Sequence, residues 1–236
     1  MDTNDLIENL MEFGLTRQEA TIYLNLFKNG MQTGYEASKQ TGISRSNAYN
    51  ALAGLVDKGA AYICEEGATK YTAVDVKEFC SNKIRKLEKA KEVLAANMPV
   101  ERENEEGYLT ITGDEQILHK VKNMLLSARK RVYLSMSYQN LKQFLPELKQ
   151  LRDNKIKIVI LSNKRFDFQG ARIYLTENKE AQIGVITDSR YVLSGELGKG
   201  ADSTCLYSGQ SHLVQVFKDS LRNEIKLIEL TGGNRS

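Results

Sequence analysis

The chain is short of cysteine, shorter of histidine, and has no long apolar run, and each shortage closes off a class of protein. Its three cysteines, Cys64, Cys80 and Cys205, are odd in number and widely spaced. That usage suits reduced thiols rather than a disulfide framework. Neither histidine, His119 or His212, has a cysteine near it in sequence, so no metal and no cofactor is expected. The most continuous apolar stretch, Ile156–Leu161, is interrupted by Lys157, far short of the ~20 residues that cross a bilayer as a helix. The opening MDTNDLIENLMEF is acidic and lacks the basic-then-apolar layout of a secretory signal. These absences predict a cytoplasmic protein without membrane contact.

What is present is ordinary for a globular chain: 236 residues, 41% hydrophobic and 27% charged, enough for one large domain or two modest ones. The net charge of +3 is unevenly spread, since residues 1–75 hold ten acids against six bases. Residues 77–91 and 107–236 are basic. An acidic first third argues against a DNA binder held by phosphate neutralisation alone.

Residues 1–75 read as three or four short helices followed by a hairpin. Leu6, Leu10 and Phe13 recur at helical spacing, and Gly14 closes that helix. Thr16 with Glu19 makes a capping box for the next, whose apolar face reads as Ala20, Tyr23, Leu24 and Phe27 and which ends at Gly30. Thr33 caps GYEASKQ, Gly42 breaks it, and Ser44 caps another helix. After Gly59, AYICEEGATKYTAV reads as two strands around a turn. Residues 76–98 lack Gly and Pro and place Cys80, Ile84, Leu87, Leu94 and Met98 on one stripe interrupted by Lys91, a dimerisation helix that also links domains. Residues 99–106 form a charged linker. From 107 to 232, strands (108–112, 131–136, 155–161, then 171–176, 181–187, 191–195 and 204–208) alternate with helices at 114–128 and 141–154 and a closing helix at 211–228. The expected fold is α/β with a mixed sheet.

The helix after Ser44 carries the polar signal. At 100° per residue, Ala48, Ala51, Leu52 and Leu55 share the core side. Ser46, Asn50, Ala53 and Asp57 lie opposite, with Asn47 on one shoulder and Arg45 and Tyr49 on the other. A polar early face with a small residue further along suits entry into the major groove by the helix N-terminus. Lys39 and Lys70 are candidate phosphate contacts. Two competing readings remain: a face that only meets water, in a protein-interaction module that no longer touches DNA, and a nuclease or phosphodiesterase for which the helices deliver substrate.

The run Gly14, Leu15, Thr16, Glu19, Ala20, Tyr23, Leu24, followed by Arg45, Ser46, Tyr49, Leu52, Leu55, Lys58 and Gly59, resembles the N-terminal domain of TrmB-type transcriptional regulators. The resemblance covers roughly residues 5–98 and implies a winged helix-turn-helix in a homodimer that binds a near-palindromic operator. The segment ITGDEQILHKVKNMLLSARKRVYLSM is similar to the phospholipase D-like domain that follows in many such proteins, a regulatory domain of residues 107–232. Catalytic members of that superfamily carry His-x-Lys-x4-Asp on a strand. Laid over AQIGVITDSRYVLSGELG, the His position is Ala181 and the Lys position Ile183. Only Asp188 and Gly195 match, while Glu196 and Gly198 replace the downstream Ser and Asn. Phosphodiester transfer by that route needs the imidazole and the cation, so no enzyme is expected. Asp188 reads first as a strand-end or turn aspartate that hydrogen-bonds backbone next to Ser189. The alternative is that the old cleft, bordered by Asp188, Glu196 and the Gly198–Gly200 loop, holds a small effector of unknown identity. The glycine-rich Ser194–Ser203 segment reads as a flexible loop or a lid.

Overall fold

Helix starts in the first hundred residues are set by side chains that satisfy the free N–H groups of a first turn. After α1 (Thr3–Glu12), Thr16 accepts from the Glu19 N–H to open α2 (Arg17–Asn29), and Thr33 does the same with Glu36 for α3 (Gly34–Thr41). Ser44 opens α4 (Arg45–Asp57), and Asp75 accepts from the Lys77 and Glu78 N–H groups to open α5 (Val76–Asn97). β2 (Ala61–Cys64) and β3 (Lys70–Ala73) pair antiparallel as the hairpin. A two-residue β1 (Gln32–Thr33) adds to the β3 edge, giving the order β1-β3-β2. Two residues carry no period, which is why the sequence did not announce that strand.

The computed structural model describes residues 2–65, 67–99, 107–176 and 179–231. It divides after residue 100 into two compact units. The charged linker lies outside the described residues except for Pro99, as does Glu66.

The first core gathers Ile7, Leu10, Tyr23, Leu26, Leu52, Leu55 and Phe79 with smaller neighbours. Two expected faces are rotated. Ile7 is buried and Leu6 is not, and in α2 the expected Ala20 and Tyr23 are buried together with Ile22 and Leu26, while Phe27 is 54% exposed. α2 packs against α1, α3, α4 and β3, so its buried arc is wider than one stripe. Phe27 is left at the rim, stacked on Tyr23.

The second unit is a seven-stranded mixed sheet of order β4-β10-β9-β8-β5-β6-β7. In chain order these strands are β4 (Tyr108–Thr112), β5 (Arg131–Met136), β6 (Lys157–Ser162), β7 (Ala171–Leu175), β8 (Gln182–Thr187), β9 (Tyr191–Glu196) and β10 (Thr204–Ser208). β5, β6 and β7 run parallel and the other neighbours antiparallel. α6 (Asp114–Ser127) and α8 (Leu145–Asp153) cover one face, over Leu134, Ile160, Val185 and Leu193. α9 (Ser211–Leu230) covers part of the other, with Val214 over Ile186 and Val192, and Ile228 over Val159, Leu161 and Tyr174.

The single helix expected at 141–154 is three pieces: α7 (Tyr138–Leu141), a 3-10 turn at Lys142–Phe144, and α8. Pro146 sits in the first turn of α8, where its missing N–H is harmless at a helix start but could not continue a preceding helix. Ser137 caps the Asn140 N–H and moves the beginning forward. Among the described residues no helix is long and apolar enough to cross a membrane.

Candidate nucleic-acid interface

α3, the turn at Gly42 and α4 make the helix-turn-helix, and a few local bonds fix its angle. Gly42 closes α3 in the left-handed region at φ 72°, where a side chain would be strained. The Ser38 hydroxyl donates to the Ile43 carbonyl at 2.7 Å, tying the turn back onto α3. Ala48, Ala51, Leu52 and Leu55 are buried and Arg45, Ser46, Asn47, Tyr49, Asn50 and Ala53 are exposed. The helical wheel and the observed burial agree at every one of these positions.

Two contacts on this face were not legible in the sequence. The Arg45 guanidinium lies 4.6 Å from the centre of the Tyr35 ring, a cation–π contact that orients it while leaving its N–H edge free. Tyr49 lies against Gly34, where an added Cβ would sit 2.5 Å from the ring. Gly34 thus lets the starts of α3 and α4 close together. The signal that could have found these contacts is the Gly34-Tyr35 pair at a helix N-terminus, which reads as ordinary capping sequence.

The far end of α4 is anchored by charge. Lys58 Nζ lies 2.6 Å from Glu19 Oε2, whose side chain is 8% exposed, and the Thr16 N–H donates to the same carboxylate oxygen. Burial pushes the Glu19 carboxyl up, but Lys58 and Thr16 outweigh it and leave the group below its ordinary value. A Cβ on Gly54 would come within 2.1 Å of Glu19 Oε1, so that glycine makes room for the pair. Lys39 and Lys70 are both exposed. Lys70 sits near Glu36, a carboxylate that the Thr33 N–H and hydroxyl hold below its ordinary value.

α5 is joined to the first core through Phe79, its one fully buried residue among those described, which meets the rings of Phe13 and Tyr23. Beyond it, Ile84, Leu87, Leu94 and Met98 are 47–65% exposed, and Val93 is exposed beside them. They form an uncovered apolar stripe.

In the second unit the structure corrects the expected cleft. β8 and β9 pair from Gln182↔Glu196 to Thr187↔Tyr191, so Asp188 and Glu196 lie at opposite ends of the hairpin. At ~3.4 Å per residue they are roughly 20 Å apart and do not border one site. Asp188 is a structural tie. Its carboxylate accepts the N–H groups of Arg129, Lys130 and Arg131 at 2.7–2.9 Å, and its own N–H donates to the Arg131 carbonyl. Burial raises its pKa, but those donors win and hold it below the ordinary aspartate value.

Ile183, the counterpart of a phosphate-binding lysine, is buried in the core under α6 and α8. The glycine-rich segment is not a loose loop either. The Asp114 carboxylate at the start of α6 accepts from the Gly198 and Gly200 N–H groups at 2.7 and 2.9 Å and from the Ser203 hydroxyl. Those donors, Ser203 first, hold Asp114 below its ordinary value. Among the described residues no group of three His, Cys, Asp or Glu side chains could hold a metal.

With this geometry in hand, two family models match. Residues 10–77 match "Sugar-specific transcriptional regulator TrmB", and residues 108–220 match "Transcriptional regulator TrmB, EBD N-terminal subdomain". The chain belongs to the TrmB family. It is 27% identical to YrhO, an uncharacterized protein of Bacillus subtilis, across 98% of this chain and 87% of that one. It is 25% identical to TrmBL1 of Pyrococcus furiosus, an HTH-type sugar-sensing transcriptional regulator, across 67% of this chain and 48% of that one. Among solved structures it is similar to TrmBL2, an archaeal chromatin protein, at 19% identity and a TM-score of 0.46 over 96% of this chain and 99% of that one. It is also similar to NucT from Helicobacter pylori, at 13% identity and a TM-score of 0.42 over 52% of this chain and 97% of that one. The TrmB assignment makes the protein a transcriptional regulator with a DNA-binding domain.

Proposed function

We propose that this TrmB-family regulator reads its operator with the N-terminal end of α4 as a homodimer, and that its second unit senses an effector without catalysing a reaction. The observation that carries the reading is the split of α4 into a fully buried Ala48-Ala51-Leu52-Leu55 side and an exposed Arg45-Ser46-Asn47-Asn50 side. Arg45 and Asn50 have the forked donors and acceptors that discriminate base edges in the major groove, while Ser46 and Asn47 reach bases or phosphates. Tyr49 positions the helix against α3, and Lys39 and Lys70 contribute phosphate contacts. Ile84, Leu87, Leu94 and Met98 supply the dimer seam along α5, because four apolar side chains at that exposure gain by burial against a copy. Against catalysis stand Ala181 and Ile183, which offer neither nucleophile nor phosphate cation.

The test is binding to duplex DNA from the protein's own promoter and to a random duplex, over a range of salt concentrations. The proposal expects tighter, salt-dependent binding to the promoter. Equal affinity for both duplexes contradicts sequence reading. No binding to either would leave a protein-interaction module, a reading favoured by the acidity of residues 1–75.

A further inference from the structure

α9 does not seal the sheet face it crosses. Ile186, Tyr133, Val159 and Arg172 lie side by side on one rung across β8, β5, β6 and β7. Tyr174 follows on the same face of β7, two residues along. Between this floor and α9 is a cavity of about 320 Å³, at the small end of the range that holds metabolite-sized ligands.

The walls of this cavity are cationic. Lys218, Arg222 and Lys226 line it from α9, spaced four residues apart and so stacked along one helix face. Lys157 and Arg172 line it from the strands, and Glu229 is the one carboxylate among the described residues that do. Glu229 is engaged, accepting from the Tyr174 phenol at 3.1 Å. Arg222 pairs with Asp219, whereas Lys157, Lys218 and Lys226 have no ion-pair partner among the described residues. Like charges four apart on a helix repel, and Lys218, Arg222 and Lys226 stand in that relation along the rim of the cavity, most of them exposed. An anion in the cavity would relieve that repulsion. Val159 and Ile186 are 4% and 1% exposed beneath α9. The apolar surface open to the cavity is therefore the half-buried Tyr133 ring, which free phosphate would not use and a flat ring would.

We propose that this groove binds a small organic phosphomonoester that also bears a flat ring, with the phosphate among the α9 and strand cations and the ring against Tyr133. It is not the remnant of the phosphodiester cleft, since Ile183 faces the opposite layer of the unit. The assignment deepens the effector-sensing reading and rests on it only for what occupancy does to DNA binding. Such a ligand changes operator affinity only by the ratio of its own affinities for the two states of the protein.

The experiment is calorimetric titration of the full chain with the four nucleoside 5′-monophosphates. Each is compared with its nucleoside and with inorganic phosphate, and a random duplex is titrated in parallel. The expected result is that at least one monophosphate binds, that its nucleoside and inorganic phosphate each bind at least tenfold more weakly, and that Lys218→Gln with Lys226→Gln weakens it at least tenfold at an unchanged melting temperature. Lys157→Gln, on the opposite wall, should weaken it several-fold.

The proposal is overturned if no monophosphate binds, if the nucleoside or inorganic phosphate binds as tightly, or if the double variant binds like the wild type. A double variant that instead loses random-duplex affinity, with no monophosphate bound by the wild type, makes the groove a DNA-backbone surface. Promoter binding by the unliganded protein, measured on the same samples, reports the proposed function separately, so failure of one reading is not mistaken for failure of the other.

Discussion

The first 75 residues and the sheet domain carry opposite charge, and the former have the sign that repels DNA. α5 brings the first unit as a whole to near neutrality, with 13 acids against 12 bases over residues 1–100. Residues 1–75 hold ten acids and six bases, whereas residues 107–236 hold 20 bases and 13 acids. The difference matters less than the count suggests, because many acids of the first unit are engaged inside it. Glu19 pairs with Lys58 under α4, Glu8 with Arg17, and Glu36 and Asp75 cap helix starts. None of these is on the exposed face of α4, where Arg45 stands over Tyr35. In the second unit Arg152, Lys179, Lys199 and Arg222 are ion-paired, yet Lys157, Lys218 and Lys226 gather around one cavity. Where a charge is held decides more than how many there are.

The comparison is broken most strongly at the proposed dimer seam. Leu87→Asp with Leu94→Asp puts charge into the α5 stripe, and we expect a monomer by sedimentation and at least a hundredfold weaker operator binding, since two half-sites are then no longer held together. A variant that stays dimeric would move the interface into the second unit. Next come the residues proposed to read bases. Asn50→Ala or Arg45→Ala should cost about 1–3 kcal/mol on the cognate site and relax preference at particular base pairs.

A structural variant sharpens the contrast between the units. Gly54→Ala drives a Cβ into Glu19 and should destabilise the first unit by about 1–3 kcal/mol, as overpacking does, with the second unit's unfolding unchanged in a denaturant titration. Asp188→Ala should do the reverse, by about 1–2 kcal/mol, because three N–H groups lose their acceptor, and should leave operator binding intact.

Acid should separate the units less sharply. Glu19, Asp114 and Asp188 all have carboxyl groups held below their ordinary values. Their contribution is therefore complete above the unfolded pKa values, near pH 4–4.5, and is lost as pH falls through the folded ones. Melting temperature should be flat from pH 7 to about pH 5 and fall below about pH 4, with a smaller fall in Asp188→Asn. The smallest effect belongs to Lys70→Ala, which should weaken all duplexes alike and reduce the salt slope by about one.

Much of the first unit was written in local chemistry. Thr16-Glu19, Thr33 and Ser44 announce helix starts, and Gly30 and Gly42 announce ends, because caps and left-handed turns depend on few residues. The buried and exposed sides of α4 followed from periodicity alone. What escaped depends on contacts distant in sequence. The arc of α2 widened to Ile22 and Leu26 because four elements pack on it, and Tyr35 joined the α4 face through a residue ten positions away. In the second unit the strands were legible, but the place of each in the sheet was not. Asp188 and Glu196 flank the segment 191–195 that reads as a strand, and the sequence groups them as borders of one cleft, but the antiparallel register puts them at opposite ends of the hairpin. Asp114 looked like a helix-start acid, and its clamp on Gly198 and Gly200 spans more than eighty residues of sequence.

The most direct test of the central claim, that α4 reads DNA sequence, is selection of bound duplexes from a random pool by the wild type and by Asn50→Ala. The account predicts that the wild type enriches a near-palindrome whose half-sites are spaced by about one helical turn or a multiple of it. Asn50→Ala should lose preference at one position in each half-site. Enrichment of no sequence by the wild type, or the same sequence with undiminished preference from Asn50→Ala, would contradict it.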